Sequence, residues 1–159
     1  MILVLLGTQN NSFHRLLEEV EKNIKNKTIQ EEVIVQAGYT KFESKNMKII
    51  DLMSKEELAE YQDKASLIIT HGGVGSIISS IEKEKKVIAV PRKHEYGEHV
   101  NNHQIQIIKD FTDKGYIIGI ENVEDLHDAI IKSKTFEPVK YQPNNSKMLR
   151  IIENFIENI

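Results

Sequence analysis

Short apolar runs alternate along this chain with longer amphipathic segments, and this alternation limits the fold more than any other feature. The runs lie at residues 2–6, 32–36, 48–52, 67–70, 87–90 and 116–120. Most are apolar at consecutive positions, so both faces of each strand are expected to be covered. The segments between them carry helical spacing. Phe13, Leu16, Leu17, Val20 and Ile24 recur on one face of the first, 13–26. Further helices are predicted over 54–64, 75–83, 100–114, 123–133 and 147–158. Ser54 followed by Glu57 forms a capping box, and Asn11 or Ser12 is the expected cap of the first helix. The expected fold class is α/β: a doubly wound, mainly parallel, Rossmann-like sheet with helices on both faces.

A chain of 159 residues suits one domain with a real core. There are no cysteines, which excludes disulfides and thiolate metal sites. The apolar start, Met1 to Leu6, stops at Gly7 and lacks the basic flank and length of a signal peptide or membrane span, so the expected location is cytoplasmic. A net charge of −3 and a pI near 6.1 argue against nucleic acid as a partner.

In open α/β sheets ligands bind beyond the carboxyl ends of strands, and three loops at such ends carry polar or glycine-rich sequence. The first is Gly7, Thr8 and Gln9. The second is His71, Gly72, Gly73, Val74, Gly75 and Ser76, between a strand and a helix. A turn of this kind aims free N–H groups and the positive end of a helix dipole at one spot, which suits a phosphate or diphosphate. It lacks the lysine of a P-loop and the order of a dinucleotide fingerprint, which disfavours an ATPase or a plain NAD enzyme. The third loop runs from Pro91 through Arg92, Glu98 and His99 to Asn102, His103 and Gln104. Arg92 is a candidate phosphate partner, and Asn102, His103 and Gln104 are candidates for sugar hydroxyls or a base edge. His99 and His103 have metal-ligand spacing on a helix, but Val100 stands where a zinc-protease motif needs glutamate, and no metal is assigned.

Together these loops resemble a known family. Val4-Leu5-Leu6-Gly7-Thr8-Gln9, Phe13 with Arg15-Leu16-Leu17, Gln36-Ala37-Gly38-Tyr39, Ile68 through Ile77, and Val90-Pro91-Arg92 through Tyr96-Gly97-Glu98-His99-Val100 to Asn102-His103-Gln104 are similar to the small subunits of two-component glycosyltransferases. That group takes in bacterial exopolysaccharide and capsule galactosyltransferase subunits and the small subunit of the dolichol-linked chitobiose N-acetylglucosaminyltransferase. The resemblance implies the donor-binding C-terminal half of a family 28-like GT-B enzyme. Residues 1–134 would form a nucleotide-sugar-binding domain. Residues 135–159 would form a linker and an amphipathic helix packed on the domain or on a partner.

The implied reaction is inverting transfer of a hexose, galactose or N-acetylglucosamine, from a UDP-sugar to a lipid-linked acceptor, with no cofactor. A membrane-anchored, acceptor-binding partner would hold the chain at the inner face of the membrane. By position, Gly7, Thr8, Gln9, the turn from His71 to Ser76 and Arg92 would contact the diphosphate. Ser79, Glu98, Asn102, His103 and Gln104 would contact sugar or nucleotide, and His99 is this chain's candidate for the general base. The family usually carries a ribose-binding glutamate where Ser79 stands, so the alternative reading is a nucleotide-sugar-binding or regulatory module without turnover.

Overall fold

A computed structural model describes residues 1–142 of the chain. Its centre is a six-stranded parallel sheet in the order β3-β2-β1-β4-β5-β6. The strands are β1 Ile2–Leu5, β2 Val33–Gln36, β3 Lys48–Ile50, β4 Leu67–His71, β5 Val87–Val90 and β6 Ile118–Gly119. The helices are α1 His14–Lys25, α2 Lys55–Lys64, α3 Val74–Glu82, α4 His103–Asp113 and α5 Leu126–Ser133.

The period-two alternation of strands divides the core into two layers. Val4 of the central strand and Leu6 just after it face a layer with Phe13, Leu16, Leu17, Val20 and Leu126. Leu3 and Leu5 face the opposite layer with Ile77, Ile81, Ile108 and Phe111. Each fully buried leucine contributes about 1.5–3 kcal/mol, so both faces are needed. This is the expected doubly wound α/β fold. Its strand order reverses direction between β1 and β4, and there the loops after the two strands part to opposite faces and leave a crevice.

Local departures from the sequence reading have local causes. Neither Asn11 nor Ser12 caps α1; Phe13 sits at the cap position, and its N–H donates to Thr40 Oγ1 at 2.9 Å. The fully buried Phe13 ring is what fixes the chain there, with the Arg15 and Arg92 guanidinium carbons 5.7 and 5.3 Å from its centroid. The capping box of α2 forms as expected, Glu57 N–H donating to Ser54 Oγ at 3.1 Å. Helix α4 starts at His103, three residues later than expected. Asn101 Oδ1 accepts from His103 N–H and Asn102 Oδ1 from His94 N–H, and such side-chain bonds compete with a helical turn. The helix expected over 123–133 begins as a 3-10 turn, Val123–Asp125, before α5.

Beyond α5 the chain packs back on the domain. Phe136 lies against the first core layer, and Tyr141 meets Tyr116 edge-on with centroids 5.5 Å apart. The expected helix over 147–158 lies outside the described residues. Among the described residues no helix is long and apolar enough to cross a membrane.

Candidate functional site

The crevice at the strand-order reversal is a cleft of about 370 Å³. Gly7, Thr8 and Gln9 line it from the loop after β1, and His71, Gly73, Val74, Gly75, Ser76 and Ser79 from β4 and α3. Gln36, Leu52, Met53 and Leu58 complete the wall. Two of the three suspected loops therefore meet here. A second cleft, of about 330 Å³, opens at the amino ends of the strands, but polar groups there are already paired, Ser66 Oγ with Glu31 and Lys86 Nζ with Ser133 O.

The amino end of α3 points into the larger cleft. Gly73 occupies its cap position with no side-chain cap, and the first turn holds no acidic residue. The first N–H bonded back is that of Ile77, to Gly73 O at 3.1 Å. The N–H groups of Val74, Gly75 and Ser76 thus have no acceptor among the described residues, and they lie at the positive end of the helix dipole. An anion of phosphate size meets both requirements.

His71 sits between the two loops. Its ring is buried and wedged between two glycines: a Cβ on Gly7 would lie 2.5 Å from Nε2, and one on Gly73 2.4 Å from Cε1. Gly7 is also held in the left-handed region at φ 75°. Gln36 clamps it at both ends, accepting from Gly7 N–H at 3.2 Å and donating to Gly7 O at 3.1 Å. Burial, helped by the nearby Arg92 charge, pushes the His71 imidazole down from 6.5 to about 3, so the ring is neutral at physiological pH.

This depression couples folding to pH. Between 6.5 and 3 the unfolded chain binds a proton at this histidine that the native chain refuses, so stability is full above 6.5 and falls as pH drops toward 3. The His71 contribution to the loss between pH 7 and pH 5 is expected to be about 2 kcal/mol. Urea titrations of the parent and His71→Asn at the two pH values measure it; equal losses in both proteins would contradict it.

The loop after β5 holds a different role from the one its sequence suggested. Arg92 is 1% exposed and turned inward. It donates from Nη1 to Asn11 O at 2.7 Å and to Glu98 O at 3.3 Å, and from Nη2 to Leu6 O, while Nε has no partner among the described residues. It therefore makes no direct contact with the cleft and acts there only through its charge. Burial lowers its pKa to about 10, which leaves it protonated at neutral pH. Glu98 is likewise withdrawn: it takes a two-pronged ion pair from Arg15, both contacts 2.9 Å, and accepts from Lys93 N–H at 3.0 Å. Asn102 is engaged with His94, and Gln104, with no exposed surface, bonds Gly72, Arg92 and His71. None of Arg92, Glu98, Asn102, His103 and Gln104 lines the cleft.

His99 lies outside α4 and so does not share a helical face with His103. Its Nδ1 lies 3.2 Å from the donating N–H of Asn101, and its Nε2 lies 3.2 Å from the Gln9 amide nitrogen, a second donor. Whichever nitrogen of the neutral ring carries the proton, the lone pair of the other is met by one of these donors, so the ring offers no free base. Ser79 does line the cleft, with its hydroxyl donating to Ser76 O at 3.2 Å and accepting from Gln62 Nε2 at 3.0 Å. One lone pair remains, so it meets a ligand only as an acceptor.

The comparisons with known proteins agree with this architecture. The model of the glycosyltransferase family 28 C-terminal domain matches residues 1–159. The chain belongs to this family. The UDP-N-acetylglucosamine transferase subunit ALG13 of Candida glabrata is 25% identical over 139 residues, 85% of this chain and 67% of that protein. The subunit of the same name from Candida albicans is 28% identical over 81 residues, 51% of this chain and 26% of that protein. The human one is 33% identical over 63 residues, 40% of this chain. The match thus spans about a quarter of the Candida albicans protein and only 5% of the human one. Among solved structures, the solution structure of ALG13 superposes with a TM-score of 0.60 at 18% identity, covering 95% of this chain and 93% of that one. MurG of Acinetobacter baumannii gives 0.54 at 17% identity, covering 98% of this chain and 49% of MurG. At these identities the two structures bear on the fold alone.

Within this family 28 domain, sequence reasoning passed over Gln36 and Arg15 as site-building residues. Gln36 had a signal, as the one polar residue closing the buried run Val33-Ile34-Val35. The ion pair of Arg15 had none, because its partner Glu98 is 83 residues away.

Proposed function

We propose that this domain is the donor half of a glycosyltransferase and binds a UDP-sugar in the cleft between β1 and β4. The diphosphate sits on the free N–H groups of Val74, Gly75 and Ser76, with His71 Nε2 and the backbone of Gly7 and Thr8 on its other side. The observation that carries the reading is the uncapped amino end of α3 facing a cleft beside a neutral histidine. The name shared by the ALG13 relatives favours N-acetylglucosamine as the sugar, and their being subunits favours a separate acceptor-binding partner.

In the proposed reaction an acceptor oxygen on a lipid-linked sugar attacks the anomeric carbon from the face opposite the diphosphate. The bond to the β-phosphate oxygen breaks as the new glycosidic bond forms, and the configuration inverts. The charge that grows on the leaving diphosphate is met by N–H donors already in place, the kind of stabilisation that lowers a barrier without reorganisation. The acceptor's proton passes to a base on the membrane-anchored partner, since the lone pair of the neutral His99 ring is met by Asn101 N–H or by the Gln9 amide.

UDP at 100 times its dissociation constant is expected to stabilise the domain by about 2.7 kcal/mol, read as a rise in Tm, with GDP and AMP giving less. No rise with any nucleotide would overturn the donor-site reading. The second reading, a binding module without turnover, is favoured by Ser79 in place of an acidic ribose ligand. A UDP-dependent rise in Tm without sugar transfer in the presence of the partner would decide for it.

A further inference from the structure

The Gln104 side chain is fully buried on α4, behind the cleft rather than in it. Its Oε1 accepts from two backbone N–H groups, Gly72 at 3.0 Å and Arg92 at 2.9 Å. Backbone N–H groups only donate, so the orientation of the amide is settled: the oxygen faces them, and Nε2 faces the other way. There Nε2 meets His71 Nδ1 at 3.2 Å. An amide nitrogen is a donor only, so Nδ1 must be the acceptor, and a neutral ring then carries its proton on Nε2. Nε2 is on the ring edge wedged between Gly7 and Gly73, and His71 lines the cleft. The fit is close: a Cβ on Gly72 would stand 2.6 Å from Gln104 Cβ.

We propose that Gln104 is a positioning residue that holds His71 in its Nε2–H tautomer, making a neutral side chain a fixed hydrogen-bond donor to the anion in the cleft. The donor role toward a diphosphate rests on the function proposed above; the tautomer does not. The arrangement has a chemical logic. A histidine free to choose would present a lone pair to the phosphate in its other tautomer, which is repulsive. Gln104 removes that choice by reading the backbone of two loops at once. The same backbone contacts tie the donor's orientation to correct closure of the turns after β4 and β5.

The test is ¹⁵N NMR of the histidine rings in the whole chain, with the His71 signals assigned by their loss in His71→Gln. In the parent, His71 is expected to show a protonated Nε2 and an unprotonated Nδ1, unchanged from pH 5 to pH 8. A protonated Nδ1 in the parent overturns the proposal without any variant of Gln104. In Gln104→Glu, one carboxylate oxygen keeps the two backbone contacts and the other can only accept, so the proton is expected to move to Nδ1. A His71 spectrum unchanged in a folded Gln104→Glu protein also overturns it. Titration with UDP separates the two layers of the argument. A UDP affinity at least tenfold lower in Gln104→Glu, with a shift at Nε2 in the parent, supports the donor role. The correct tautomer in a chain whose Nε2 signal ignores UDP leaves the Gln104 assignment standing and sinks the diphosphate reading.

Discussion

Gly75→Asp is expected to melt at a higher temperature than the parent and to bind UDP about 100-fold more weakly. The two effects have opposite signs because the position serves two masters. Gly75 is the second residue of α3, and nothing lies within 4 Å of where its Cβ would be. A side chain there is tolerated sterically, and replacing a helical glycine recovers about 0.5–1 kcal/mol. A carboxylate in the first turn adds about 0.3–1 kcal/mol through the helix dipole. A net gain of about 1 kcal/mol raises Tm by about 2–4 °C in a domain of this size. The same carboxylate stands where the diphosphate is proposed to bind. At about 5 Å and an effective dielectric of about 20, each pair of like charges costs about 3 kcal/mol, ample for two decades of affinity. Gly75→Asn is the control, since it has the same shape and no charge, and it should recover most of the affinity. Thermal melts and UDP titrations of the three proteins decide the matter. Unchanged UDP affinity in Gly75→Asp would remove the anion from the end of α3.

Arg92→Met is expected to lose about 3–5 kcal/mol of stability, the largest single loss outside the apolar core. The methionine fills the volume but leaves the carbonyls of Leu6, Asn11 and Glu98 without their donor and removes the cation over Phe13. Arg92→Lys should restore little, because a single ammonium cannot reach three carbonyls that a planar fork reaches together. Urea unfolding gives the stability, and UDP affinity measured below the transition gives the binding. A stable Arg92→Lys with UDP affinity lost would mean that the side chain contacts the ligand after all.

Arg92 also shows where sequence reading stops. The alternation of apolar runs with amphipathic segments settles a doubly wound parallel sheet, because only a strand covered on both faces reads as Val87-Ile88-Ala89-Val90. The His71–Ser76 turn is equally readable, since the parts that shape it are contiguous: strand, glycines, helix start. The loop after β5 is polar and lies at the correct end of the sheet, and its residue types suit a ligand. Whether such side chains point outward or inward depends on partners far along the chain. Arg92 bonds Asn11 and Leu6 across separations of 81 and 86 residues, and Gln104 bonds Gly72 across 32. No local pattern encodes those pairings. A charged residue in a suspected ligand loop is therefore readable as important, while its role is decided by packing.

The contact between Gly72 and Gln104 has a consequence for how such a domain diverges. Any side chain at position 72 evicts the amide, and any shorter residue at position 104 strands two backbone donors and frees the tautomer of His71. A change at either position therefore costs a contact at the other, so the two positions are expected to change together. A descendant that drops either one is expected to have given up the other, and with it the reason to keep a histidine at position 71.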